Sequence, residues 1–114
     1  MLLLIAVALL SVAAFGGISL AALHFKQKPV PWPFSVGHGT LAFAGIAIVL
    51  VAWVQGASSG FLSYAIGILI AAACGGLFMA FLHKKTGTRP SAVVVIHGAA
   101  ALFGVGLLAV AVFA

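Results

Sequence analysis

Four long apolar stretches separated by short connections set the pattern of this chain: Leu2–Phe25, Phe34–Val54, Gly60–Leu82 and Ala92–Phe113. Each holds the roughly 20 residues that a helix needs to cross about 30 Å of hydrocarbon. Only a helix or a closed barrel satisfies its own backbone hydrogen bonds there, and runs of this length without period-two alternation predict helices. The first connection, Lys26–Pro33, carries Pro29, Pro31 and Pro33, which stop one helix and extend the chain before the next. The second, Gln55–Ser59, is small and uncharged, and the third, Lys84–Ser91, is basic, with Ser91 a candidate helix cap.

A self-comparison at an offset of 59 residues needs no gap and matches 19 of 55 positions. Shared alanine and leucine are expected of any apolar chain. The pairs Gly16-Gly17 with Gly75-Gly76, Leu23-His24 with Leu82-His83, Lys26 with Lys85, Pro31 with Pro90, His38-Gly39 with His97-Gly98, and Gly45 with Gly104 are not a composition effect. A two-helix unit returns to the side it starts from, so its copies share one orientation, related by an axis along the membrane normal. The expected fold is all-α, a polytopic membrane four-helix bundle of two tandem, same-orientation helical hairpins, residues 1–55 and 60–114. Helix one should face helix three across one diagonal and helix two should face helix four across the other.

Composition agrees with lipid as the solvent: 66% of the 114 residues are hydrophobic, 4% are charged, and Asp and Glu are absent. That length holds one transmembrane domain over 1–114 and no separate soluble module. The net charge of +5 comes entirely from Lys26, Lys28, Lys84, Lys85 and Arg89, all in two connections. They read as topology signals and anionic-lipid contacts rather than as a nucleic-acid surface. Loops 26–33 and 84–91 are thereby expected in the cytoplasm and both termini outside, in a bacterial-type inner membrane. Trp32 and Trp53 bracket the second span as interfacial aromatics do. The first span lacks a basic leader and stays apolar too long for a cleaved signal peptide. Cys74, alone, excludes an intrachain disulfide or thiolate cluster.

Candidate chemistry rests on four histidines. His24 and His83 close helices one and three, His38 and His97 open helices two and four, and together they are expected in one layer near the basic loops. Ionisable groups within spans are functional candidates. Seven residues deeper from each stands a glycine: Gly17 from His24, Gly45 from His38, Gly76 from His83 and Gly104 from His97. About two helical turns separate them, so each glycine is expected on the histidine's own face, roughly 10 Å further in. Such a strip, extended by Ala42 and Ala101, suits a macrocycle hung from a histidine, and it equally suits close helix packing. For the histidines the readings are haem ligation, a zinc or copper ion held by three or four imidazoles, a structural role at headgroup depth, or proton relay and transport. His38 and His97 are the favoured axial pair. His24 and His83 would ligate a second haem or contact propionates, for which the lysines and Arg89 are also placed.

On its architecture and histidine layer, the chain resembles small four-helix membrane b-type cytochromes and the cytochrome-b-like anchor subunits of respiratory complexes. The resemblance implies one or two haems b with bis-histidine ligation, and electron exchange with a quinone or with a larger respiratory or photosynthetic membrane complex. It departs from cytochromes whose paired histidines on one helix hold haems at two depths. Alternatives are a non-catalytic accessory subunit whose histidines are structural, and a homodimer sharing one cofactor. Catalytic residues are not expected: the chain has no carboxylate pair, phosphate loop or nucleophile beside a base.

Overall fold

The computed structural model describes residues 1–114 and forms four helices and no strand: α1 (Leu2–Phe25), α2 (Trp32–Val54), α3 (Leu62–Thr86) and α4 (Ser91–Phe113). All four are long and apolar enough to cross a membrane. The bundle measures 42 × 21 × 20 Å, which matches the roughly 40–45 Å of a bilayer with its headgroups. Trp32 and Trp53 lie at the two ends of α2, about 32 Å apart along its axis. They flank one hydrocarbon thickness.

Packing follows the expected hairpin order. α1 lies along α2 and α3 along α4, and the hairpins meet where α1 borders α4 and α2 borders α3. No Cα comes within 8 Å across either diagonal, α1 to α3 or α2 to α4. The α1–α4 border is more extensive than the α2–α3 border, so the twofold relation between the hairpins is imperfect. Only 14 of 114 residues are buried, and large side chains such as Phe15, Ile96 and Phe103 stand outward. That surface would be a liability in water and is the natural lipid-facing surface of a membrane bundle.

The core is concentrated at the end away from the basic loops. Ala6 and Leu10 of α1, Val49 of α2, Leu62, Ala65, Ile66 and Leu69 of α3, and Leu108 of α4 form one cluster. Gly45 and Gly104 make it possible. A Cβ on Gly45 would lie 2.6 Å from Leu10 Cγ, and one on Gly104 would lie 2.9 Å from Leu69 Cδ2. The two contacts are the same contact repeated at the 59-residue offset. These glycines therefore admit a leucine from the neighbouring helix.

Helix ends depart from the sequence expectation at α2, α3 and α4. α2 starts at Trp32 rather than Phe34 and takes Pro33 into its first turn, where the missing N–H has no helical partner to lose. α3 continues past Leu82 to Thr86 and includes His83 together with Lys84 and Lys85, cations that its C-terminal dipole favours. Ser91 is the first residue of α4 rather than its cap. Pro90 holds the cap position in extended conformation, with no side-chain cap bond.

The turn between the hairpins depends on Gly56. After α2, Gly56 N–H donates to Trp53 O and Ala57 N–H to Ala52 O, each at 3.0 Å, with Gly56 at φ +101°. This is the paired-bond helix stop that needs a left-handed residue. Gly56→Ala is expected to cost roughly 1–2 kcal/mol, read as a lowered thermal midpoint in detergent with unchanged helix content.

Candidate histidine site

At the basic end the bundle opens into a cavity of about 990 Å³ reached by all four helices and lined by all four histidines. That is the upper part of the range for pockets that enclose whole small molecules. Small residues from both hairpins face it, among them Gly39, Ala42, Gly98 and Ala101. The bundle thus has a packed half and an open half, and the histidines belong to the open one.

His38 and His97 project from diagonal helices and meet across the bundle, with ring centroids 6.2 Å apart and planes at 90°. Each is anchored from the adjacent helix of its own hairpin. His38 Nδ1 donates to Ala13 O at 2.7 Å, and His97 Nδ1 donates to Ala72 O at 2.8 Å. A carbonyl oxygen can only accept, so each Nδ1 carries the proton. In the neutral ring, Nε2 then keeps its lone pair, which is the tautomer a metal-ligating histidine adopts. The two anchors are also one contact repeated at the 59-residue offset.

Gly17 and Gly76 sit under these rings. A Cβ on Gly17 would lie 2.8 Å from His38 Cε1, and one on Gly76 would lie 2.9 Å from His97 Cε1. Gly17 also lines the cavity with His24 and Gly76 with His83, while Gly45 turns to α1 as His38 does and Gly104 turns to α3 as His97 does, so each glycine lies on the face of the histidine seven residues away. Gly17 and Gly76 make room for histidines of α2 and α4, while Gly45 and Gly104 face Leu10 and Leu69 outside the cavity. A continuous side-chain-free strip under each histidine is not formed.

Nor do the histidines share one layer. The His38 ring rests on Gly17, seven residues deeper in α1 than His24, so the two tiers are separated by about 10 Å. In the outer tier, His24 Nε2 lies 3.1 Å from Ser91 Oγ, joining the end of α1 to the start of α4. The position matching Ser91 in the first hairpin is Trp32, and His83 Nδ1 is buried with no hydrogen-bond partner. The bond of His24 is solvent-exposed, so Ser91→Ala is expected to cost less than about 1 kcal/mol in thermal unfolding.

No three of the histidines and Cys74 come together as ligands of one ion, so the geometry does not make the three- or four-imidazole zinc or copper site. Two residues do converge. Two imidazoles sharing one metal ion through collinear bonds of about 2.0–2.1 Å place their ring centroids roughly 6.4 Å apart. The observed 6.2 Å lies close to that separation. With both Nδ1 atoms bonded to carbonyls, the pair has the donor chemistry of bis-histidine ligation, Nε2 being the free nitrogen of each ring.

Sequence reading did not single out Ala13 and Ala72, whose carbonyls orient the pair. Both recur at the 59-residue offset but are lost among other matching alanines. Comparison with protein-family models, curated protein sequences and solved structures returns no match to this chain.

Proposed function

We propose that the chain is a membrane b-type cytochrome that holds one haem between His38 and His97 and exchanges electrons near the basic end of the bundle. The observation that carries this reading is the matched anchoring of two diagonal imidazoles, each Nδ1 on a backbone carbonyl, at a ring separation suited to one shared iron.

The residues divide the work by depth. His38 and His97 supply the axial nitrogens, Ala13 and Ala72 fix their tautomer and direction, and Gly17 and Gly76 let the rings approach α1 and α3 closely at Cε1. Bound haem supplies a one-electron couple. Ligand identity, burial and nearby positive charge are the protein's means of setting its potential. By the positive-inside rule, the basic loops and the cavity mouth face the cytoplasm. A groove of about 430 Å³ on the outer side of α1 and α2 also reaches His38. It gives a lipid-soluble quinone an approach, and a larger membrane redox complex is the alternative electron partner. The pair lies within one chain, so the site does not require a homodimer.

The test is an optical spectrum of the protein purified after expression with ample haem, oxidised and dithionite-reduced, with a pyridine haemochrome assay. A sharp reduced α-band with stoichiometric haem is the expected result. Wild-type protein that takes up no haem overturns the reading and leaves the accessory-subunit alternative, in which the same contacts serve packing.

A further inference from the structure

The cavity's chemistry is symmetric at depth and one-sided at its mouth. His83, Lys84 and Arg89 of the second hairpin line it, and the matching positions in the first hairpin are His24, Phe25 and Val30, which also line it. Trp32, opposite Ser91 in the alignment, adds a further aromatic to the first hairpin's wall. One wall is cationic and the other apolar and aromatic.

Two further observations point the cationic wall at a ligand. The chain has no Asp or Glu, so Lys84 and Arg89 find no carboxylate side chain within it. His83 Nδ1 is the one buried side-chain nitrogen or oxygen without a hydrogen-bond partner, whereas its counterpart His24 bonds Ser91. Cations that line a cavity without a carboxylate partner suit an anionic acceptor brought by a ligand. Lys85, by contrast, lies over the Phe81 ring at 5.6 Å from its centroid and is not among the cavity-lining residues.

We infer that His83, Lys84 and Arg89 form an anion-binding mouth that takes a carboxylate or phosphate group of an amphipathic molecule, whose apolar part enters the cavity past Phe25, Val30 and Trp32. The anion has two sources. One is the propionate of the haem, and for that source the inference rests on the proposed function. The other is the phosphate of a bilayer lipid, which is independent of it.

The experiment uses the full chain in nanodiscs of zwitterionic lipid with a minor share of phosphatidylglycerol. It compares wild type with a Lys84→Gln/Arg89→Gln variant and with a Lys26→Gln/Lys28→Gln control, which removes equal charge at two residues that do not line the cavity. In the first arm, haem b and its dimethyl ester are titrated into haem-free protein. A propionate site predicts that wild type and the control prefer the free acid by roughly tenfold or more, and that the Lys84/Arg89 variant loses most of this preference. In the second arm, native mass spectrometry follows anionic lipid through delipidation. A lipid site predicts that wild type and the control retain a phosphatidylglycerol that the Lys84/Arg89 variant releases. Equal affinity for acid and ester together with no specific lipid loss overturns the inference, as do identical losses in variant and control. If neither haem form binds wild type, the haem reading falls and the lipid arm alone decides the mouth.

Discussion

Substituting either His38 or His97 by alanine is expected to abolish the reduced α-band of haem-loaded protein, while His24→Ala and His83→Ala leave it in place. The inner pair sits at the separation of two ligands sharing one iron, with both Nδ1 protons committed to Ala13 and Ala72. The outer pair lies about 10 Å away along the helix axis and has no such arrangement. Losing an outer-sphere partner of a metal ligand costs about 10–100-fold in affinity, so losing the ligand itself is expected to exceed roughly 100-fold. Haem content per chain and the α-band position check this. A band lost equally in His24→Ala would move the axial site to the outer tier and contradict the assignment. Imidazole added to His38→Ala or His97→Ala protein should restore part of the band, because the small residues around the cavity leave room for a free ligand.

The spans were legible in the sequence because a bilayer demands a length and a composition that few other environments produce, and the duplication was legible in rare residues at a fixed offset. Register between helices was not. Spacing along one helix establishes that Gly17 lies about two turns below His24. It does not say that the proline-bearing connection sets α2 so that His38 lands on Gly17. One expected layer of histidines therefore became two tiers, and the small-residue faces serve two kinds of close approach between helices. The unequal outer tier follows from Ser91 standing where the first hairpin has Trp32, a mismatch visible in the alignment but without meaning until both ends were placed together.

Gly17→Ala and Gly45→Ala should separate the open half of the bundle from the packed half. Both introduce a Cβ into a contact far shorter than van der Waals distance, 2.8 Å from His38 Cε1 in one case and 2.6 Å from Leu10 Cγ in the other. The neighbours yield differently. The His38 ring can retreat from Gly17 into the cavity that it lines, but only by straining or giving up its bond to Ala13 O. Gly17→Ala is therefore expected to lower haem affinity by about 10–100-fold, as loss of an outer-sphere partner does, with a small effect on thermal stability. Leu10 is 3% exposed and belongs to the closed core, so it has no space to enter. Gly45→Ala is expected to cost about 1–3 kcal/mol of stability by overpacking, while the haem that binds keeps its spectrum. Gly76→Ala and Gly104→Ala should repeat the contrast in the second hairpin. If Gly17→Ala destabilised the helices as much as Gly45→Ala and left haem affinity unchanged, Gly17 would be a packing glycine alone, and the anchoring of His38 would lose its claim to orient a ligand.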